Sequence, residues 1–194
     1  MSSRKTDPRV IILSGPSGAG KTTLHDRLLA APRFAGKLVR SVSATTRQPR
    51  GQEQEGRDYF FVSVKMFEAR IKRGAFLEWA RVFDNYYGTP LKYVRENLKQ
   101  GKSVLLCIDV QGGRQIKQKL PEAVAIFVKT PTIAELGRRL TARKTDSKAS
   151  VALRLETAGK ELKEACFYDH VLVNDDLARA GQELEALVAG YIGG

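Results

Sequence analysis

Cysteine occurs only twice in the chain, at Cys107 and Cys166, and the two share no paired spacing, which excludes a disulfide framework and a thiolate zinc site. Free thiols in a reducing compartment are expected. Histidine is as scarce: neither His25 nor His170 has an acid–base partner in the pattern, and both read as structural. No apolar run approaches membrane-spanning length; the longest, such as Val104 to Cys107 and Ala123 to Val128, suit buried strands. Met1 to Arg9 lacks the apolar core of a signal peptide, so the expected location is cytoplasmic, with no membrane partner. Acidic residues are in deficit, 21 against 33 Lys and Arg, and the resulting net charge of +12 points to an anionic partner. The basic residues are dispersed: Arg4 and Lys5, then Arg47, Arg50 and Arg57, then Arg138 through Lys160. Dispersal favours several local phosphate contacts over one continuous nucleic-acid stripe, and no specific nucleic acid is expected.

What is present begins with alternation. The 194 residues, 42% hydrophobic, suffice for one domain with small insertions. Short β-branched runs (Val10 to Leu13, Ser103 to Ile108, Ala125 to Lys129, His170 to Val173) alternate with helical patterns (Thr23 to Ala31, Gln115 to Leu120, Ile133 to Arg143, Leu177 to Tyr191). That order predicts an α/β fold, a mostly parallel sheet flanked by helices. Asp175 and Asp176 are expected to cap the last helix. Two segments break the rhythm. Residues 43–90, rich in strand formers and aromatics (Tyr59, Phe60, Phe61, Phe76, Trp79, Phe83, Tyr86, Tyr87), read as a β-rich insertion around a helix from Val64 to Arg73, and residues 141–160 as a basic, weakly patterned lid. The core is then 9–42, 91–140 and 161–194, all one domain over 1–194.

The most specific motif is Gly15-Pro16-Ser17-Gly18-Ala19-Gly20-Lys21-Thr22, set between the strand Val10 to Leu13 and the helix that opens at Thr23. This is a phosphate-binding loop, or P-loop. Glycines at these positions let backbone N–H groups converge on an anion, Lys21 reaches the outer phosphates, and the Thr22 hydroxyl can ligate Mg²⁺ at the helix N-terminus.

A second series of motifs is ordered behind the loop: Ser43 to Arg50 (SATTRQPR), Glu55 to Tyr59, Phe76-Leu77-Glu78-Trp79, Asn85 to Thr89, Ile108 to Gly112 and Val173 to Leu177. With the loop, these resemble the guanylate kinase family from about residue 9 to about residue 190. The resemblance implies a P-loop NTPase fold with a GMP-binding insertion, and Mg²⁺-dependent transfer of the γ-phosphoryl of ATP to GMP and dGMP. It implies ATP contacts along residues 15–23, including Thr23, with Arg139 and Asn174 near the adenine. On the acceptor side it implies Ser43, Arg47, Arg50, Tyr59, Glu78, Tyr87, Thr89 and Asp109. Lys21, Arg50, Arg143 and Arg154 would act on the transferred group, and Thr22 on the metal.

Elementary chemistry agrees with several of these. Paired guanidinium groups at Arg47 and Arg50 suit a phosphate fork. A carboxylate at Glu78 can accept from guanine N1–H and its exocyclic amine, a donor pair adenine lacks, and alternation turns it away from Leu77 and Trp79. Asp109 follows a strand and suits either the metal shell or the acceptor. Two departures stand out: Cys107 replaces an acidic residue common in the family two positions before Asp109, and Lys148 and Ala149 replace acidic character in the lid. Rival readings are a sugar-phosphate kinase, a catalytically silent protein-binding module and a charge-driven nucleic-acid binder. Glu78 argues against the first, and the intact Lys21, Thr22, Arg143 and Arg154 against the second. A monomer or homodimer is expected.

Overall fold

Alternation within β1 (Val10–Ser14) decides what covers each face of the central sheet. In the computed structural model, which describes residues 7–82, 84–142 and 148–193, all five β1 residues are buried. Ile11 and Leu13 face a core built with Leu24 and Leu28 of α1 (Lys21–Ala30) and Leu184 and Val188 of α7 (Leu177–Ile192). Val10 and Ile12 face the opposite core, with Val94 of α3 (Leu91–Lys99) and Ile116 of α4 (Val110–Lys119). A strand buried on both sides reads as an unbroken apolar run, as this one does. Truncating a fully buried leucine such as Leu28 to alanine would cost about 2–5 kcal/mol.

The sheet is parallel, in the order β2 (Leu38–Arg40), β7 (Ser103–Cys107), β1, β8 (Val124–Lys129), β9 (His170–Val173). Parallel pairing aligns all carboxyl ends, where ligands of open α/β sheets bind. Here β1 runs into the P-loop, β7 into Asp109 and β9 into Asn174. Because β1 and β7 are neighbours, the two loops stay together past the strands, with the Ile108 amide donating to the Leu13 carbonyl at 3.2 Å.

The insertion forms a separate four-stranded sheet, in the order β4 (Tyr59–Phe61), β3 (Ser43–Thr45), β6 (Asn85–Pro90), β5 (Phe76–Val82), with α2 (Val64–Lys72) packed on it. Its small core centres on Phe67, stacked between Phe76 at 4.4 Å and Tyr86 at 5.2 Å between ring centroids. Within the segment expected to be a lid, α6 (Lys148–Glu161) packs on α5 (Ile133–Ala142) over Leu136, Leu140 and Ala158.

Several boundaries differ from the sequence expectation. Helix α4 begins at Val110, not at Gln115, because Gly112 and Gly113 mask its pattern. Those glycines are poor helix formers retained by close approach: a Cβ would stand 2.7 Å from Glu78 Oε2 at Gly112 and press on the Tyr168 hydroxyl at Gly113. The lid segment, expected to be weakly patterned, holds the fourteen-residue α6, whose apolar residues Val151, Leu155 and Ala158 recur at helical spacing. Strand β7 ends at Cys107, one residue short of the expectation. The short β2 and the helix α3 carried no motif and were not anticipated. Asp176, not Asp175, caps α7, accepting from the Arg179 amide at 2.8 Å. Arg4, Lys5, Phe83, Arg143, Lys144 and Asp146 lie outside the described residues. No helix among the described residues is long and apolar enough to cross a membrane.

Candidate active site

The P-loop depends on backbone shapes that only glycine adopts without strain. Gly15 and Gly20 have φ of 134° and 92°, and a Cβ would stand 2.1 Å from the Val128 carbonyl oxygen at the first and collide with Asn174 Nδ2 at the second. Gly20 caps α1 without a side-chain partner, and the first turn of α1 has no acidic residue, so the positive helix end faces the loop's concavity. Lys21 Nζ donates to the carbonyls of Gly15 at 2.7 Å and Pro16 at 2.9 Å, arching its ammonium over the loop.

Around Lys21 the structure gathers groups from three other elements. Burial pushes the Cys107 thiol up, opposed by Lys21 and by a hydrogen bond with Thr22. Burial pushes the Glu161 carboxyl up to about 7, with Lys21 opposing and Asp109 reinforcing the shift. Asp109 itself is the N-cap of α4, accepting from the Gly112 amide at 2.9 Å. Among the described residues no cluster of three or more His, Cys, Asp or Glu forms a metal cage. At the N-terminus of α1 the Thr22 hydroxyl offers an oxygen donor of the type that suits a hard cation.

Beside the loop lies a cavity of about 340 Å³, lined by Gly18, Gly20, Thr23, Arg139, Asn174 and Leu177 among others. Asn174 Nδ2 donates to the Ala19 carbonyl at 2.8 Å, and Arg139 Nη2 to the Asn174 carbonyl at 2.9 Å. Arg139 and Asn174, which the resemblance puts near the adenine, therefore share one wall with the loop. From the lid, Arg154 Nη1 donates to Ser17 Oγ at 3.0 Å, bringing a guanidinium onto the loop.

The insertion supplies the opposite half. Arg47, its side chain only 10% exposed, donates from Nε to the Tyr87 hydroxyl at 3.2 Å, from Nη2 to Glu53 Oε1 at 2.8 Å and from Nη1 to the Gln48 carbonyl at 2.7 Å. Its guanidinium lies over the Tyr59 ring at 5.4 Å, and Tyr59 meets Tyr87 edge to face at 6.0 Å. Burial pushes the Tyr59 phenol up. Arg50 is exposed; its backbone amide donates to Glu53 Oε2 at 2.8 Å and its carbonyl accepts from the Glu53 amide at 3.0 Å. The expected pair thus splits into a held Arg47 and an open Arg50.

Glu78 is 3% exposed, and its Oε1 accepts from Thr89 Oγ1 at 2.6 Å. Burial pushes its carboxyl up to about 7, with Asp109 adding to the shift and Thr89 and Lys119 opposing it. Alternation around Glu78 is imperfect. Leu77 enters the sheet core while Trp79 is 36% exposed, because the β5–β6 register shifts between Phe76 and Glu78. Ser43 sits opposite Tyr59 in register, at the β4 side of the sheet from Glu78.

Sequence reasoning missed two acidic groups. Glu53 lies three residues after Arg50 in an acid-poor chain, and that nearness was its available signal. Glu161 shares the α6 face of Arg154 and Ala158, a helical spacing visible in the sequence.

Comparison with known proteins gives the same answer along nearly the whole chain. The family model described as guanylate kinase matches residues 7–191. A guanylate kinase of Rubrobacter xylanophilus is 46% identical over 186 residues, covering 96% of both chains. One from Nitratidesulfovibrio vulgaris is 49% identical over 178 residues, covering 91% of this chain and 84% of its own. The crystal structure of guanylate kinase from Anaplasma phagocytophilum superposes with a TM-score of 0.79 at 32% identity, covering 98% of this chain and 89% of that one. The match in sequence and in fold runs along nearly the whole chain, and the chain belongs to the guanylate kinase family.

Proposed function

We propose that this chain transfers the γ-phosphoryl group of ATP to GMP, and to dGMP, giving ADP and the nucleoside diphosphate, with Mg²⁺ as cofactor. The observation that carries the substrate choice is Glu78. A buried carboxylate whose described hydrogen-bond partner is Thr89 has acceptor capacity left for guanine N1–H and its exocyclic amine. Adenine offers no such donor pair, and a sugar phosphate would leave the carboxylate buried against nothing that needs it.

The remaining roles follow from position. Arg47, held by Glu53 and Tyr87, receives the GMP phosphate with Tyr59 beside it, and Arg50 closes from solvent to complete the fork. The P-loop amides and Lys21 hold the ATP phosphates, and Arg139 and Asn174 flank the adenine cavity. Thr22 would hold Mg²⁺, which supplies charge neutralisation between the β- and γ-phosphates. Asp109, just past the end of β7 and close enough to raise both Glu78 and Glu161, orients the acceptor or water near the phosphates. A phosphate oxygen of GMP attacks the γ-phosphorus in line as the bond to the ADP oxygen breaks. Arg154, with Arg143 outside the described residues, offsets the charge that moves between them. Two nucleotides positioned this way need no protein nucleophile.

A coupled assay of ADP release with ATP and Mg²⁺ tests this, comparing GMP, dGMP, AMP, UMP and ribose phosphates. Turnover with GMP and dGMP alone is expected. Equal turnover with AMP, or none with GMP, would overturn the reading.

A further inference from the structure

The strand that carries Glu78 lies at the edge of its sheet. Among the described residues β5 pairs with β6 alone, and an edge strand leaves one row of backbone donors and acceptors without strand partners. Along that edge α4 stands in for a further strand. The Gln115 carboxamide donates from Nε2 to the Trp79 carbonyl at 2.8 Å and accepts at Oε1 from the Trp79 amide at 3.4 Å, as a neighbouring peptide group would. One helical turn onward, Lys119 Nζ donates to the Leu77 carbonyl at 2.6 Å. Leu77 and Trp79 flank Glu78, so the backbone on both sides of the carboxylate is gripped by one helix.

The same helix reaches the carboxylate itself. The site of a Gly112 Cβ would be 2.7 Å from Glu78 Oε2, so the helix backbone forms one wall of the carboxylate's pocket. The N-terminus of α4 is Asp109, which follows Ile108, the residue bonded to β1 just ahead of the P-loop. A single helix therefore spans from the phosphate side of the cleft to the strand that reads the base.

We infer that Gln115 and Lys119 are positioning residues for guanine selection: by clasping the backbone on either side of Glu78, they fix where its carboxylate stands relative to the phosphate loop. The inference rests on the base-reading role of Glu78 proposed above. A carboxylate that receives N1–H at one oxygen and the exocyclic amine at the other tolerates little displacement. Inosine monophosphate, which lacks the amine, needs one oxygen only and can follow a displaced carboxylate. Loosening the clasp therefore harms GMP more than inosine monophosphate.

The test compares kcat/KM for GMP and for inosine monophosphate, KM for ATP and thermal midpoint in the wild type, Gln115→Met, Lys119→Met and Glu78→Gln. Gln115→Met preserves side-chain volume while removing both carboxamide hydrogen bonds. It is expected to lower the GMP-to-inosine-monophosphate ratio about fivefold to tenfold, the equivalent of one lost hydrogen bond, with KM for ATP within about twofold. An unchanged ratio in folded Gln115→Met beside a collapsed ratio in Glu78→Gln overturns the positioning role and leaves base reading intact. An unchanged ratio in Glu78→Gln overturns base reading itself. Should Gln115→Met fail to fold, Lys119→Met decides: a drop of about threefold supports the inference, and no drop overturns it.

Discussion

Glu53 holds Arg47 with one carboxylate oxygen and the Arg50 backbone with the other, each at 2.8 Å. The Arg47 guanidinium holds the Glu53 carboxyl below its usual range, and Glu53 in turn raises Arg47, so the two shifts describe one ion pair from both ends. Such a pair adds little stability at a half-open site. Its larger effect is to order a long side chain before the acceptor arrives, a saving of about 0.5–1.5 kcal/mol on binding. Glu53→Gln is therefore expected to raise KM for GMP by about threefold to tenfold while leaving KM for ATP unchanged. Steady-state kinetics with each substrate varied in turn checks this.

Glu78 makes both recognition and stability depend on pH. The groups facing it are Thr89 from β6 and Asp109 and Lys119 from α4, and burial dominates them, moving the carboxyl from an ordinary 4.5 to about 7. Only the ionised form accepts two donors, so KM for GMP should fall as pH rises through about 7, by about tenfold between about pH 6 and pH 8.5. Thr89→Ala, which removes a hydrogen bond to the carboxylate, should move that midpoint upward.

Folding stability moves in the opposite direction. Between the unfolded value near 4.5 and the folded value of about 7, the native chain retains a proton that the unfolded chain has released. Native stability from this group is therefore lost as pH rises across that window, on the order of 3 kcal/mol in total. Glu78→Gln does not titrate. Urea unfolding from about pH 5 to about pH 8 should show the variant gaining on the wild type by roughly that amount.

Two glycines in helices should respond oppositely to alanine. At Gly159 in α6 a Cβ meets none of the described residues within 4 Å, so Gly159→Ala should stabilise the fold by about 0.5–1 kcal/mol through helix propensity alone. At Gly112 the same methyl would press on the Glu78 carboxylate at 2.7 Å. Gly112→Ala should raise KM for GMP at least about tenfold with ATP affinity retained, measured by kinetics and by nucleotide titration.

In the proposed reaction Arg154 acts on the moving charge. Its contact with Ser17 at 3.0 Å brings the lid onto the loop, and Arg154→Met is expected to lower kcat about a hundredfold or more, with KM for GMP nearly unchanged. A variant that raised KM and kept kcat would assign the residue to binding instead.

The P-loop and the parallel sheet were legible because each rests on local chemistry. Glycines at fixed spacing behind Val10 to Leu13 admit few other structures. Glu78, Arg47, Tyr87 and Thr89 could be named from motifs, but their partnership could not be measured. Thr89 meets Glu78 only through the β5–β6 ladder, and Arg47 meets Tyr87 only through β3–β6 pairing. The early start of α4 was hidden for the same reason: Gly112 and Gly113 argue against a helix until Glu78 and Tyr168 are known to need their space. Gln115 and Glu53 belong to no motif, and what they do is a property of tertiary neighbours.

Gly18 has one more consequence. A Cβ there would press against Leu140 and Leu136 of α5, at 3.0 and 3.2 Å, so this helix is the floor on which the P-loop rests. Swinging α5 outward would open a void beneath the loop's own backbone. The shape of that backbone is therefore partly a matter of how well two leucines fill a hole.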